Sequence, residues 1–144
     1  MSDETYDTAP LGDRMTMFVP HAAALGMTLI SAEKGVGVMQ TPWREDLVGD
    51  PETGVIASGV VTALIDHTCG LAINSAAETP TPIATLDLRI DYLRPAAPRA
   101  GVTAEATCYK VTRSIGFVRA EAWDVDRTDL IATAQAAFML NPRG

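Results

Sequence analysis

SGVVTALIDHTCGLAIN, residues 58–74, is the stretch that decides the fold of this chain. Its apolar residues recur at spacings of three and four, which is typical of a helix with a broad buried face. The main stripe consists of Val61, Leu64, Ile65, Thr68 and Ala72. Asp66 is the only formally charged residue between positions 55 and 77. An unpaired buried carboxylate is costly, so this aspartate is expected to be paired, neutralised or functional.

Strand patterns lie on both sides of the predicted helix. Residues 26–42 are typical of two strands joined by a turn at positions 33–35, and residues 43–54 of a polar loop. After Pro80 the alternation predicts four strands. In the first of these, one face is expected to carry Ala84, Leu86, Leu88, Ile90 and Tyr92, and the other Thr85, Asp87, Arg89 and Asp91.

A single helix that is apolar nearly all round has to be covered by other elements. An antiparallel sheet that curls around the helix achieves this with the strands available. The pattern therefore predicts an α+β hotdog fold, in which a curved antiparallel sheet wraps around one long central helix. With 144 residues we expect a flexible tail over positions 1–12 and a single domain over 13–144.

Composition excludes several function classes. The net charge of −7 argues against general binding to nucleic acid or to anionic membranes. A central aspartate costs roughly 3 kcal/mol on membrane insertion, which argues against a spanning helix over 55–77. Cys69 and Cys108 form no CxxC motif, so no metal site is expected. The acidic first residues lack the apolar segment of a secretory signal, so we expect a cytoplasmic protein.

Four stretches together resemble the hotdog acyl-CoA thioesterases of the phenylacetate-pathway, or PaaI-like, group. They are GVIASGVVTALIDHTCGLA at 54–72, LDLRIDYLRPA at 86–96, VTRSIGF at 111–117 and LIATAQAAFML at 130–140. Their order and spacing carry the resemblance, since no one of them is specific alone. The resemblance implies hydrolysis of an acyl-CoA to a carboxylic acid and free CoA, with no cofactor.

The resemblance also implies which residues act. The family pattern has His-Gly-Gly at the helix start and an acidic residue seven positions after the second glycine. Gly59 and Asp66 have that spacing, so the Gly59 amide would bind the thioester carbonyl and Asp66 would be the base or the nucleophile. Ala57 and Ser58 replace the family's histidine and first glycine. Without the resemblance, an Asp66 satisfied by backbone amides or by Arg89 remains an alternative.

Further residues are expected around the substrate, each with a structural alternative. The Thr85 hydroxyl is expected to orient the attacking water, or to be an ordinary strand threonine. The residues expected to contact substrate are Asp50, Ser58, Cys69, Lys110, Arg113 and Ser114. For Cys69 a small buried residue is the preferred interpretation, because the sequence identifies no base that would activate its thiol. The turn that carries Arg113 would bind the CoA phosphates, or is a solvated hairpin tip, with Arg94 and Arg99 as other candidates.

Two rival functions remain open from the sequence. The first is a non-catalytic acyl-CoA-binding hotdog protein, which is favoured by the absence of the family histidine from this chain. A hotdog dehydratase or hydratase would need a catalytic histidine, and neither His21 nor His67 is suitably placed. His67 points about 100° away from Asp66 on a helix, so the two cannot form a dyad. The identity of the acyl group is left open.

Helix geometry predicts the assembly. Gly59 and Asp66 are seven residues apart, which is about 10 Å along one helix. A thioester carbonyl needs its hydrogen-bond donor within ~3 Å and the attacking oxygen within ~3–3.5 Å. Two antiparallel helices related by a twofold axis would meet both conditions. We therefore expect a homodimer with composite sites, doubled to a dimer of dimers (a homotetramer).

Overall fold

The structure, a computed structural model, describes residues 10–77 and 81–142. Most of the expected tail, positions 1–9, lies outside the described residues, and a short helix begins at Leu11. In chain order the elements are α1 Leu11–Met15, α2 Pro20–Ala24, β1 Thr28–Glu33, β2 Val36–Thr41, a 3₁₀ turn Glu45–Leu47, β3 Val48–Asp50, β4 Val55–Ile56, α3 Ser58–Ala76, β5 Ile83–Tyr92, β6 Val102–Val111, β7 Ile115–Trp123 and β8 Ala132–Leu140.

Six of the strands form one antiparallel sheet in the order β1-β2-β6-β7-β8-β5. The short strands β3 and β4 pair with each other just ahead of α3, within and after the stretch expected to be a loop. The sheet curves around α3, and the predicted hotdog fold is confirmed.

The core lies between α3 and the sheet. Every member of the predicted stripe on the helix is buried, because small residues at facing positions let sheet and helix approach closely. At Gly37 on β2, an added Cβ would lie 2.9 Å from the Leu71 side chain and 3.1 Å from the Ala72 nitrogen. The facing strands β6, β7 and β8 contribute a series of buried alanines: Ala104, Ala106, Ala120, Ala122, Ala132, Ala134 and Ala136.

Strand β5 contains a β-bulge that the alternating pattern conceals. Thr85 pairs with Phe138 and Asp87 with Ala137, so Leu86 is the extra residue. Directly paired residues share a face of the sheet, which places Thr85 beside the buried Phe138. The expectation that Thr85 and Asp87 share the polar face, with Leu86 on the apolar one, is wrong.

Within 10–77 and 81–142, no helix is both long and apolar enough to cross a membrane.

Candidate active site

Asp66 lies near the middle of α3, where the helix passes the start of β5. Its side chain is half-buried, and the Thr85 hydroxyl donates a hydrogen bond of 2.9 Å to Asp66 Oδ1. The bulge at Leu86 separates Thr85 from the regular alternation of the strand and leaves it on the side of α3. Bulges commonly redirect a side chain next to a functional site. The two elements thus place a carboxylate and a hydroxyl together.

The Asp66 carboxylate opens into a cleft of about 570 Å³. Leu11, Met15, Ile83 and Phe138 form its apolar walls, while polar groups line the remainder. The polar lining residues are Arg14, Asp66, His67, Asn74, Thr81 and Thr85. Such a mixture suits a ligand with an apolar part and a reactive polar group.

Helix α1 closes one side of this cleft and is fixed to α3 by a hydrogen bond. The ring nitrogen Nε2 of His67 bonds to the Met15 carbonyl oxygen, which requires the proton on Nε2. His67 therefore lines the cleft while its Nε2 serves the backbone. This agrees with the expectation that His67 and Asp66 do not form a dyad.

The start of α3 presents backbone amides. Gly59 is the second residue of the helix and is exposed. Apart from its chain neighbours and the adjacent helix backbone, no atom of the described residues lies within 4 Å of the position its Cβ would occupy. Its amide is one of the first four N–H groups, which have no acceptor within the helix, and it lies at the positive end of the helix dipole. Ala57, at the N-cap, provides no side-chain hydrogen bond. A second recess of about 320 Å³, lined by Asp50, Ser58 and Tyr92 among others, adjoins this end.

Two hydroxyl groups surround the first carbonyl of α3. Tyr92 Oη donates to the Ser58 carbonyl oxygen at 3.0 Å, and Thr62 Oγ1 donates to the same oxygen at 3.1 Å. The two hydroxyls also contact each other. Neither Tyr92 nor Thr62 was expected at the site. The sequence did place Tyr92 on the same face of β5 as Ile90, which was a signal for its role. A tyrosine that faces other elements usually finds a hydrogen-bond partner.

A chain segment that includes this site matches a known protein family. The family pattern described as the thioesterase superfamily matches residues 53–131, which include α3 with Asp66 and the whole of β5. The chain belongs to the thioesterase superfamily.

Solved structures and a curated relative agree with this membership. A Pseudomonas aeruginosa protein superposes with a TM-score of 0.80 at 36% identity, covering 90% of this chain and 98% of that one. A variant of the phenylacetic acid degradation protein PaaI from Thermus thermophilus gives a TM-score of 0.71 at 28% identity, covering 83% and 97%. The medium/long-chain acyl-CoA thioesterase YigI of Salmonella typhimurium is 24% identical and covers 90% of this chain and 91% of its own. The predicted PaaI-like resemblance is confirmed.

Cys69, an expected substrate contact of this thioesterase-family chain, lies in the core. Cys69 is fully buried in the core, where desolvation, assisted by the nearby Asp66 charge, raises the pKa of its thiol to about 12. A side chain with no exposed surface cannot contact substrate in this chain, so the assignment of Cys69 to substrate binding is corrected to a core residue. Within the described parts of the chain, no three His, Cys, Asp or Glu side chains are grouped as metal ligands.

Asp50 is exposed and makes a local turn. Its Oδ1 accepts from the Glu52 amide at 3.1 Å and its Oδ2 from the Thr53 hydroxyl at 3.0 Å. These bonds fix the β3–β4 connection ahead of α3. Asp50 and Ser58 line the recess at the helix start, separate from the cleft of Asp66 in the same chain.

The predicted CoA turn is an exposed hairpin tip between β6 and β7. Lys110, Arg113 and Ser114 are all exposed, and the Ser114 carbonyl accepts from the Leu140 amide at 2.8 Å. The tip lies at the end of the sheet where β5 begins, since Ile115 pairs with Met139 and Ile83 with Leu140. Lys110, Arg113 and Ser114 are not among the described residues that line the cleft of Asp66.

Of the other arginines considered from the sequence, Arg94 and Arg89 form ion pairs within the chain, and Arg99 bonds through its backbone amide. Arg94 Nη2 bonds Asp124 Oδ1 at 2.7 Å, which holds the pKa of the Asp124 carboxyl well below its usual range and raises that of Arg94. Arg99 donates its amide to the Gly54 carbonyl. Arg89 pairs with Asp91, 3.4 Å away. The alternative that Arg89 neutralises Asp66 is therefore wrong.

Proposed function

We propose that this protein is an acyl-CoA thioesterase that hydrolyses a CoA thioester to a carboxylic acid and free CoA. The single observation that carries the proposal is the 2.9 Å hydrogen bond between Thr85 and Asp66 in a cleft with apolar walls. The family membership supports thioester hydrolysis, and the relative YigI is named for acyl-CoA. An acyl chain would lie along the apolar walls, with its thioester near Asp66.

Asp66 would act as a general base on water or as a nucleophile on the thioester carbon. A hydrogen bond from Thr85 to Oδ1 fixes the plane of the carboxylate and leaves Oδ2 available to the reacting atoms. If Asp66 is a base, it takes a proton from water as the hydroxyl attacks the carbonyl carbon. The tetrahedral intermediate then expels the CoA thiolate, which is protonated on leaving.

The developing oxyanion needs a donor, and Gly59 of a second protomer would supply it. Within one chain, Gly59 is about 10 Å along α3 from Asp66, too far to serve the same carbonyl. Gly59, Ala63 and Asp66 share one face of the helix, where successive residues turn by about 100°, and each is exposed or half-exposed in the single chain. Two such faces packed antiparallel would bring each Gly59 amide to the partner's Asp66.

The nucleotide end of CoA would extend to the hairpin tip. Lys110, Arg113 and Ser114 offer two cations and a hydroxyl at the surface, and an arginine can bind a phosphate with two parallel hydrogen bonds. Asp50 and Ser58 line the recess beside the helix start, where the pantetheine arm would enter. These contacts remain part of the proposal.

The experiment is a free-thiol release assay with a panel of acyl-CoAs on the parent, Asp66→Asn and Thr85→Val. We expect Asp66→Asn to lose about 10²–10⁴-fold in kcat, the range for a lost general base, and Thr85→Val to lose less. The matched control is Asp91→Asn, since Asp91 is an exposed carboxylate on the outer face of β5, the strand that carries Thr85. Its kcat should equal that of the parent.

Two outcomes would contradict the proposal. If Asp66→Asn retained half of the parental kcat, Asp66 would not be the reacting carboxylate. If the parent bound acyl-CoA, measured by calorimetry, and released no thiol from any member of the panel, the non-catalytic binding protein would be the correct description.

A further inference from the structure

The carbonyl of Ser58 and the amide of Gly59 belong to the same peptide group. Tyr92 Oη lies 3.0 Å from that carbonyl oxygen and Thr62 Oγ1 lies 3.1 Å from it, so each hydroxyl is placed to donate to it. A peptide group is planar because its C–N bond has partial double-bond character. Whatever fixes the direction of the Ser58 carbonyl therefore fixes the opposite direction of the Gly59 N–H.

The Tyr92 hydroxyl, the Thr62 hydroxyl and the Ser58 carbonyl oxygen make three mutual contacts, but the two hydroxyls supply only two protons. If each hydroxyl donates to Ser58, the contact between Tyr92 and Thr62 carries no proton. If one hydroxyl donates to the other, the acceptor of that pair donates to Ser58. In every arrangement at least one proton reaches the Ser58 carbonyl, and the Tyr92 hydroxyl is part of the network. Linked hydrogen bonds polarise one another.

We propose that Tyr92 is a positioning residue that orients and polarises the Ser58–Gly59 peptide, so that the Gly59 amide is a stronger and better-aimed donor to the oxyanion. The inference rests on the proposed function, in which that amide binds the thioester carbonyl. Tyr92 acts through the peptide and touches no reacting atom.

The start of α3 needs such an orienting group. The N-cap residue, Ala57, has no side chain that could bond the first amides, and Gly59 has the freest backbone of any residue type. An amide that is not held in place must be reorganised during the reaction, which weakens oxyanion stabilisation. Tyr92 is the last residue of β5 and pairs with the buried Ala132. The sheet therefore fixes the backbone from which the Tyr92 ring extends.

One strand then serves both halves of the chemistry. Thr85 near the start of β5 fixes the carboxylate of Asp66, and Tyr92 at its end fixes the peptide of Gly59. In the proposed dimer these two groups belong to different sites. Each β5 would orient the carboxylate of one site and the oxyanion donor of the other.

The test compares Tyr92→Phe with Tyr109→Phe, which removes a hydroxyl of similar exposure on β6. Because cooperative strengthening is a fraction of a donor's effect, we expect Tyr92→Phe to lower kcat about 2- to 8-fold with KM unchanged. In triple-resonance spectra of ¹³C,¹⁵N-labelled protein that correlate each amide with the preceding carbonyl carbon, the Gly59 amide ¹⁵N and the Ser58 carbonyl ¹³C resonances should shift in Tyr92→Phe. Tyr109→Phe should leave kcat and both resonances as in the parent.

Thr62→Val removes the second hydroxyl with little change of shape and should shift the same two resonances. Because both hydroxyls act on one carbonyl, the loss in the double variant should differ from the product of the single losses. A Tyr92→Phe protein with parental kcat, or with lower kcat and an unmoved Gly59 resonance, would overturn the inference. If Gly59→Pro kept parental activity, the proposed oxyanion donor would be wrong instead, which separates the two failures.

Discussion

Gly59 has open space beside its Cα as well as a free helix-terminal amide. Beyond the adjacent helix backbone, no atom in residues 10–77 and 81–142 lies within 4 Å of a Cβ placed there. Alanine is up to about 1 kcal/mol more favourable than glycine in a helix. Gly59→Ala should therefore unfold at a temperature no lower than the parent. If the thioester lies against this position, the methyl group displaces it, and kcat/KM should fall about 10- to 100-fold. Thermal unfolding and thiol release measure the two effects separately.

The same variant can disprove that placement. A Gly59→Ala protein with parental kcat/KM would mean that substrate does not approach this face of α3. A large loss of stability together with activity would instead mean that another chain packs tightly against Gly59 in the assembled protein.

Single residues were predictable where they broke a pattern. Asp66 was predicted to matter because it is the only charge within a 23-residue apolar segment, and the structure gives it a hydroxyl partner in Thr85. Cys69 could not be assigned from sequence, since a pocket thiol and a core thiol one helical turn from Asp66 have the same spacing. Tyr92 and Thr62 were missed because their shared acceptor is a backbone carbonyl, which no side-chain motif reveals.

At the scale of elements, the contact between α3 and β2 depends on Gly37. A methyl group there would meet Leu71 side-chain atoms at 2.9 Å and the helix backbone at Ala72 at 3.1 Å. The helix backbone cannot yield, so Gly37→Ala should lower the free energy of unfolding by about 1–3 kcal/mol, as overpacking does. Urea unfolding followed by circular dichroism measures it, with Gly59→Ala as the same substitution in open space. An unchanged midpoint would show that α3 can shift on the sheet.

Periodicity predicted the long elements and missed the two shortest strands, β3 and β4. Helix α3 spans 19 residues, long enough for its apolar stripe to stand out, and the four strands after it alternate over nine or ten residues each. Strands β3 and β4 have three and two residues, too few to show a period. The bulge in β5 was hidden because Ala84, Leu86 and Leu88 continue a regular alternation in sequence. The extra residue appears only in the pairing with β8.

At the scale of the whole molecule, several exposed apolar groups lie on the strand that ends the sheet. Strand β5 is at the edge of the six-stranded sheet, and Leu86, Tyr92 and the following Leu93 are all about half-exposed. Exposed edge strands with apolar side chains favour pairing with a second copy. Because β5 lies beside the helix face of Gly59 and Asp66, a dimer formed through this region would also complete the proposed site.

The proposed dimer predicts complementation between two inactive variants. Asp66→Ala removes the carboxylate, and Gly59→Pro removes the amide at a first-turn position where proline is tolerated. Each should be inactive alone. After the two are unfolded and refolded together in equal amounts, half of the dimers are mixed, and each mixed dimer has one intact site and one doubly defective site. If the sites are independent, about a quarter of parental activity should return, measured by thiol release. Parent protein carried through the same refolding is the control for yield, and native mass spectrometry of one isotopically labelled variant verifies exchange. No recovery from exchanged dimers would mean that each site is built within one chain.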